Sequence, residues 1–252
     1  METLFIGKNT IFLSETESTN SYAMDLLKNV NPPEGTVVHA QRQLKGRGQR
    51  GSRWLAIDGQ SLTLSILLKP QFLHLQNQFT LYQISALACH DTISHFVGSG
   101  QYDIKIKWPN DILVNRKKIC GVLIENVLNG DQIMASVIGI GLNINVTEKS
   151  ELPRMVSINE LAPKVYTPAD MIPYLCARLE KYYLMLKSAR IAEISEDYLS
   201  RFFGLYEWRD YRYNGQTVLA KIIGLSGFGL LKLEREGGTT FEVDVKQIEF
   251  IY

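Results

Sequence analysis

The sequence has few cysteines, and their number and spacing exclude two classes of protein. Only three occur among 252 residues, at Cys89, Cys120 and Cys176. An odd number of widely separated cysteines in apolar surroundings suits neither a disulfide framework nor a metal site of closely spaced thiolates. We therefore expect reduced thiols in the core and a cytoplasmic protein.

The chain also lacks an excess of charge of one sign and lacks long apolar segments. Lys and Arg number 27 and Asp and Glu 26, which gives a net charge of +1. No overall field would recruit DNA, RNA or an acidic membrane, so any anion binding must be local. No segment approaches the roughly 20 apolar residues of a membrane span, and the N-terminus does not resemble a signal peptide. Secretion and membrane insertion are not expected.

Hydrophobic residues make up 45% of the chain, enough for the core of one large domain or of one large and one small domain. Apolar spacing, caps and turn residues predict an α+β domain with mixed strands. The predicted helices run from Ser18 to near Asn31 and over residues 80–97, 168–187 and 191–203. The predicted strands cover residues 36–40, 61–68, 104–108, 111–114, 119–125 and 132–140.

From about Leu205 the pattern changes to short β runs separated by glycines. These runs cover residues 217–223, 229–233 and 240–245. About fifty residues suffice for a small five-stranded barrel but give it a thin core, so the barrel is expected to dock on the larger domain. The predicted domains are residues 1–204 and residues 205–252.

The segment between the strands predicted over residues 36–40 and 61–68 is rich in glycine and arginine. Residues 46–54 read Gly-Arg-Gly-Gln-Arg-Gly-Ser-Arg-Trp. Glycines let backbone N–H groups approach a ligand closely, and guanidinium groups supply forked donors that match phosphate or carboxylate. The loop is therefore predicted to bind an acidic small molecule. A solvated basic turn or a nucleic-acid patch would have a similar composition.

Three further segments carry candidate binding residues. Lys107-Trp108-Pro109-Asn110-Asp111 ends one strand and begins another, which exposes Asn110 and Asp111 at a sheet end, although Pro-Asn-Asp also favours an ordinary turn. Lys118 opens an apolar strand, where an unpartnered lysine is unusual, although a solvated turn lysine would also fit this position. The stretch from Gly139 to Asn143 alternates glycine with aliphatic residues, which suits a strand over which a flat ligand lies. A core strand followed by an Asn turn would look similar.

In this order, the motifs resemble those of the biotin protein ligases over nearly the whole chain. The matching segments are residues 18–20, 46–54, 107–111, 118–125 and 139–143. The resemblance implies a central mixed β-sheet with helices packed on one side, of the biotin/lipoate ligase-like type, plus a C-terminal SH3-like β-barrel. It also implies a two-step reaction. The biotin carboxylate attacks the α-phosphorus of ATP to give biotinyl-5′-AMP and pyrophosphate, and a lysine of a biotin carboxyl carrier protein then takes the biotinyl group.

The resemblance assigns roles to particular residues. Lys118 and Arg47 are the implied catalytic residues, because they would place fixed positive charge where two anions meet. The implied biotin-binding residues are Ser18, Thr19, Asn20, Gln43, Gly46, Arg47, Gly48, Gln49, Lys118 and Gly121. The implied ATP-binding residues are Arg50, Arg53, Trp54, Asn110, Asp111 and Asn143, with Mg²⁺ expected near Asn110 and Asp111.

Two departures from the family pattern lead to further predictions. The common form of the loop has Arg where this chain has Gln49, at a position associated with holding the adenylate. Retention of the intermediate is then expected to depend on Arg47, Arg50 or Arg53, and release is expected to be leakier. The motif at Ser18 also lies too near the start of the sequence to leave room for the DNA-binding winged helix that some members carry. We therefore expect a ligase without repressor activity and without DNA binding, as a monomer or a homodimer.

Other interpretations remain open from the sequence. A lipoate ligase or octanoyl transferase has a related fold and also modifies a carrier lysine. A non-catalytic nucleic-acid-binding module could use the basic loop and the small barrel, although it would leave Lys118 unexplained. A homologue that binds biotin without turnover is also possible, and the presence of Lys118 is the only feature of the sequence that argues against it.

Overall fold

The computed structural model describes residues 2–98, 100–146 and 154–251, without the side chain of Arg50. In these ranges seven strands form a first sheet: β1 (Thr10–Thr16), β2 (Val37–Gln43), β3 (Ser61–Leu68), β4 (Ile104–Lys107), β5 (Asp111–Val114), β6 (Lys117–Asn129) and β7 (Gln132–Asn143). Their order is β1-β2-β3-β7-β6-β5-β4. β1 runs parallel to β2 and the other neighbouring pairs are antiparallel, so the predicted mixed sheet is confirmed.

Side-chain caps mark the start of three of the described helices. Within the described residues the helices are α1 (Thr19–Asn29), α2 (Phe79–Val97), α3 (Ile158–Leu161), α4 (Pro168–Lys187) and α5 (Ile191–Ser200). The Ser18 hydroxyl accepts a hydrogen bond from the Ser21 N–H at 3.4 Å at the start of α1. Thr167 and Asp170 form a capping box at the start of α4, with Pro168 in its first turn.

The two faces of the first sheet are covered by different helices. Val37 belongs to the large core that α2 and α4 complete, whereas Val38 packs with Ala23 of α1. Because alternate residues of a strand point to opposite faces, α1 lies on the face opposite to α2 and α4. The implied arrangement with helices on one side therefore does not hold for α1. Its N-terminus lies instead beside Ser65 of β3, on the face that carries polar residues.

The C-terminal part forms a second, antiparallel sheet. Its strands are β8 (Trp208–Tyr213), β9 (Gln216–Leu225), β10 (Leu231–Arg235), β11 (Thr240–Val243) and β12 (Ile248–Phe250). Their order is β11-β10-β9-β8-β12, and the two edge strands do not pair with each other within the described residues. The indole N–H of Trp108 donates to the Gly229 carbonyl at 2.8 Å, which joins this sheet to the first.

Several elements differ from their predicted bounds. The strand predicted over residues 132–140 continues to Asn143, and the helix predicted over residues 191–203 ends at Ser200. The strands β1, β8 and β12 were not predicted. β1 and β8 lie in the sheets with mostly exposed or half-exposed residues, so they lack the apolar runs that identify a buried strand.

All three cysteines are buried and free, as predicted. Across the ranges described above, no helix combines the length and the apolar character needed to cross a bilayer.

Glu180 of α4 anchors the first residues of the chain. Its carboxylate accepts hydrogen bonds from the backbone N–H groups of Leu4, Phe5 and Ile6 at 2.6, 2.8 and 2.9 Å, although the residue is only 5% exposed. Removing this acceptor leaves the buried Ile6 N–H and the partly buried N–H groups beside it without their partner. Glu180→Ala is therefore expected to lower the free energy of unfolding by about 2–4 kcal/mol, measured by urea denaturation. Glu196→Ala, at an exposed position on α5, is the control. Equal stability of the two variants would contradict this role of Glu180.

Candidate active site

A cavity of about 380 Å³ opens on the face of the first sheet that carries the N-terminus of α1. It is lined by that N-terminus, the loop 46–54, the strands β3, β6 and β7, the β4–β5 turn and the last residues of the chain. Most of the predicted site residues line it: Ser18, Thr19, Asn20, Gln43, Arg47, Gly48, Gln49, Arg53, Trp54, Asn110, Asp111, Lys118 and Gly121. Segments far apart in the sequence therefore meet at one site.

Three predicted residues are not among those that line the cavity. Gly46 lies at the base of the loop opposite Trp54, where a Cβ atom would be 2.2 Å from the Trp54 carbonyl oxygen, so a larger residue would force the loop apart. Asn143 is 3% exposed and its side-chain amide lies 3.5 Å from the Val156 carbonyl oxygen. It is buried in the wall because β7 runs further than predicted. The side chain of Arg50 lies outside the described part of the structure.

One end of the cavity is a buried polar wall. The side-chain oxygen of Gln43 accepts hydrogen bonds from the backbone N–H and the hydroxyl of Thr19, at 3.0 and 3.2 Å. The Ser65 hydroxyl lies 2.8 Å from the Thr19 hydroxyl and 2.6 Å from Oδ1 of Asn20. These contacts fix the direction of each donor and acceptor before any ligand arrives. Ser65 was not predicted, because in the run Ser-Leu-Thr-Leu-Ser it reads as part of a core strand.

The floor of the cavity is formed by glycines on neighbouring strands. Gly121 of β6 is paired with Gly141 of β7. A Cβ atom at Gly141 would lie 2.3 Å from Cε2 of Trp54, and one at Gly121 would lie 3.1 Å from its Cζ3. The flat group that lies on these two glycines is therefore the Trp54 indole of the protein itself. The indole Nε1 is buried with no hydrogen-bond partner in the described structure.

Gly139 has a similar function beside the polar wall. A Cβ atom there would lie 2.3 Å from Oδ1 of Asn20. Only glycine allows the Asn20 amide to lie directly against β7.

The other end of the cavity carries the positive charge of Lys118. Its Nζ lies 2.7 Å from Oδ1 of Asp111 and 5.4 Å from the Trp54 ring centroid. The β5–β6 pairing shifts register near this residue, and the Lys118 backbone bonds instead to residues 154 and 156. Such an irregularity turns a side chain away from its regular direction, which here brings the ammonium group into the cavity.

The amide of Asn110 has a structural role in the same region. Its Nδ2 donates to the Val122 carbonyl at 2.7 Å, and the Val122 N–H donates to the Asn110 carbonyl at 2.9 Å. These bonds hold the β4–β5 turn against β6 and so place Asp111 beside Lys118.

The loop 46–54 folds back on itself above the cavity. Arg47 forms a β-bridge with Arg53, and the Gly48 N–H donates to the Ser52 carbonyl at 2.7 Å. The guanidinium of Arg47 lies 2.6 Å from Oε2 of Glu125 on β6. The loop therefore places two arginines and several backbone N–H groups at the mouth of the cavity.

The thiol of Cys120, next to the floor, is no candidate nucleophile. Burial raises its pKa well above the ordinary value, and the neighbouring Cys89 thiol raises it further. The group is therefore protonated at neutral pH, and the thiolate that nucleophilic chemistry needs is absent.

Sequence reasoning missed the contribution of the C-terminal strands. Val245, Ile248, Glu249 and Phe250 line one side of the cavity. The Phe250 ring centroid lies 5.1 Å from Nζ of Lys107, at the end of β4. No local signal marks these residues, because they become part of the site only through the contact between the two sheets.

Comparison with known proteins agrees with this architecture. The family model described as the biotin/lipoate A/B protein ligase family matches residues 12–143. The chain is 30% identical over 243 residues to the bifunctional ligase/repressor BirA of Bacillus subtilis (strain 168), which covers 94% of this chain and 73% of that protein. It is 29% identical over 195 residues to the biotin–[acetyl-CoA-carboxylase] ligase of Paracoccus denitrificans, which covers 75% and 79%.

A solved structure of a biotin protein ligase has a similar fold over nearly the whole chain. The biotin protein ligase from Aquifex aeolicus in complex with biotin and ATP matches with a TM-score of 0.79 at 28% identity, over 97% of this chain and 99% of that one. Both sheets are thus included in the match. The chain belongs to the biotin/lipoate A/B protein ligase family.

Proposed function

We propose that the protein is an ATP-dependent biotin protein ligase. It activates biotin as biotinyl-5′-AMP and transfers the biotinyl group to a lysine of a biotin carboxyl carrier protein. The observation that carries this proposal is the cavity itself, which joins a buried polar wall at one end to the Lys118 ammonium at the other across a glycine floor. A ligand with a polar ring and a distant carboxylate matches that arrangement.

The polar wall supports biotin over other carrier-protein cofactors. Its ureido ring offers two N–H donors and one carbonyl acceptor, which the directed groups of Ser18, Thr19 and Gln43 can pair. Lipoate and octanoate end in apolar groups, and either would leave the remaining hydrogen-bonding capacity of these groups unsatisfied, which is unfavourable. We therefore expect a calorimetric titration to detect binding of biotin and not of lipoate. Tighter binding of lipoate would favour the sister activity of the family.

In the first step a carboxylate oxygen of biotin forms a bond to the α-phosphorus of ATP, and the bond from that phosphorus to the bridging oxygen of pyrophosphate breaks. Two anions must approach each other, so positioning and fixed positive charge supply most of the catalysis. Lys118 would contact the biotin carboxylate and the bridging oxygen. Arg47 and the backbone of Gly46, Gly48 and Gln49 would close over the reacting groups and exclude water.

The nucleotide is proposed to occupy the side of the cavity near Trp54 and Arg53. Two further residues proposed for ATP binding are Arg50, in the loop, and Asn143, which lies behind the cavity wall. Mg²⁺ would accompany ATP and neutralise phosphate charge. The oxygen atoms of Asn110 and Asp111 are the hard ligands that this ion prefers. Within the described residues no group of three or more acidic, His or Cys side chains could hold a metal, so the phosphates themselves would supply further ligands.

In the second step the amine of a carrier lysine attacks the biotinyl carbonyl carbon, and AMP leaves. The proposed partner is thus a biotin carboxyl carrier protein or domain; the name of the Paracoccus denitrificans relative gives acetyl-CoA carboxylase as the acceptor of that protein. We place this activity in the cytoplasm and propose that the protein acts as a monomer or homodimer without DNA.

We further propose that residues 1–204 are the catalytic domain and residues 205–252 an SH3-like barrel. The separate second sheet of five antiparallel strands supports this division, and the Trp108 contact with Gly229 supports docking of the smaller domain on the larger one.

Gln49 is expected to make the enzyme release its intermediate more readily. It lines the cavity at the start of the short turn Gln49–Gly51, and its neutral amide cannot attract the adenylate phosphate as an arginine would. Gln49→Arg is therefore expected to lower the release of biotinyl-5′-AMP severalfold. The measurement is biotin incorporation into a bystander protein relative to the carrier. An unchanged ratio would show that retention does not depend on this position.

A further inference from the structure

Glu125 contacts two residues of the cavity without lining the cavity itself. Its Oε2 accepts hydrogen bonds from Nη2 of Arg47 at 2.6 Å and from Nδ2 of Asn20 at 2.9 Å. Arg47 and Asn20 both line the cavity, and Glu125 is not among the lining residues. One carboxylate oxygen thus joins the loop at the mouth to the polar wall at the buried end.

The contact fixes the orientation of the Asn20 amide. Its Nδ2 donates to Glu125 and lies 3.3 Å from the Leu123 carbonyl oxygen, while its Oδ1 lies 2.6 Å from the Ser65 hydroxyl. An ionised carboxylate only accepts hydrogen bonds, so it is compatible with one of the two amide orientations. Because Asn20 also lies tightly against Gly139, this orientation sets which atoms the wall offers to a ligand.

The contact also fixes the direction of a cationic side chain. The loop supplies Arg47 from a flexible glycine-rich segment, and its side chain is 42% exposed, so without a partner it would sample many rotamers. Glu125 of β6 holds the guanidinium at the mouth of the cavity. Ion pairs as exposed as this one contribute little to folding stability. The consequence of the pair is therefore expected in binding and catalysis.

We propose that Glu125 is a positioning residue for adenylation, which holds Arg47 at the cavity mouth and orients Asn20 in the biotin-ring wall. This inference rests on the proposed function. It extends the polar network in one continuous path from Gln43 through Thr19, Ser65, Asn20 and Glu125 to Arg47. Occupation of the ring wall and placement of the loop arginine are thereby coupled.

The test uses Glu125→Gln, which keeps the size of the side chain and removes its charge. In biotin-dependent pyrophosphate exchange we expect kcat to fall at least tenfold and KM for biotin to rise, because a reacting group misplaced by about 1 Å loses up to a hundredfold in rate. The thermal unfolding midpoint should stay unchanged. Glu15→Gln is the matched control, because it breaks an Arg42–Glu15 pair of 3.0 Å on β1 and β2, away from the cavity. It should leave the kinetics unchanged.

A second variant tests whether Glu125 acts through Arg47. In an Arg47→Gln background the Glu125→Gln change should lower kcat by less than twofold, because coupled residues give non-additive effects. Normal kinetics of Glu125→Gln, full additivity in the double variant, or a loss of activity matched by a loss of folded protein would each overturn the positioning role. Absence of exchange by the unaltered protein would refute the proposed function instead.

Discussion

Lys118→Ala is expected to lower the rate of biotin adenylation by about 10²–10³-fold, the effect of removing one preorganised group that stabilises transition-state charge. The ammonium lies in the cavity, 2.7 Å from Oδ1 of Asp111. Its removal also leaves the Asp111 carboxylate, whose side chain is 16% exposed, without this partner beside two anionic substrates. Steady-state pyrophosphate exchange measures the effect.

The fold should survive this substitution. The Lys118 backbone keeps its bonds to residues 154 and 156, and the side chain is 40% exposed. Lys117→Ala removes the same charge from the adjacent, exposed position and serves as the matched control. Normal exchange by a folded Lys118→Ala protein would remove Lys118 from the catalytic centre.

Gly139→Ala is expected to weaken biotin binding by more than tenfold. The new Cβ atom would lie 2.3 Å from Oδ1 and 2.9 Å from Cγ of Asn20. The amide cannot retreat without loss of its bonds to Ser65 and Glu125. The wall would then be distorted, and crowding in a packed region also costs about 1–3 kcal/mol of stability. Titration calorimetry gives the dissociation constant, and thermal melting reports the stability.

Gly227→Ala provides the control for this substitution. A Cβ atom at Gly227 meets nothing within 4 Å, so neither stability nor biotin affinity should change. Biotin affinity of Gly139→Ala within twofold of the unaltered protein would mean that Asn20 does not shape the ligand site.

The parts of the fold that were predicted correctly depend on local signals. The hydroxyl of Ser18 marks the start of α1, and Thr167 and Pro168 mark the start of α4. Both starts are predictable because a capping residue interacts with groups within the first helical turn. The glycine-arginine loop was recognised from composition, since positive charge and missing side chains are properties of the segment itself. Lys118 and Asp111 were predicted to be site residues because each lies at the end of a predicted strand, and both line the cavity.

The parts that were missed depend on contacts between distant segments. Ser65 and Glu125 gain their significance only from Asn20, which α1 places between them. Phe250 reaches the cavity because the second sheet packs beside β4, which no local pattern encodes. Asn143 was assigned to ATP binding from the family resemblance, and the strand was predicted to end at Ile140; β7 instead continues to Asn143, whose side chain is buried.

The most direct test of the proposed function is the exchange of radiolabelled pyrophosphate into ATP by the purified protein with Mg²⁺, in the presence of either biotin or lipoate. This assay isolates the adenylation step, so it needs no carrier protein. We expect exchange that depends on biotin and is absent with lipoate. Exchange that depends on lipoate, or no exchange with either acid by folded protein, would contradict the assignment of a biotin protein ligase.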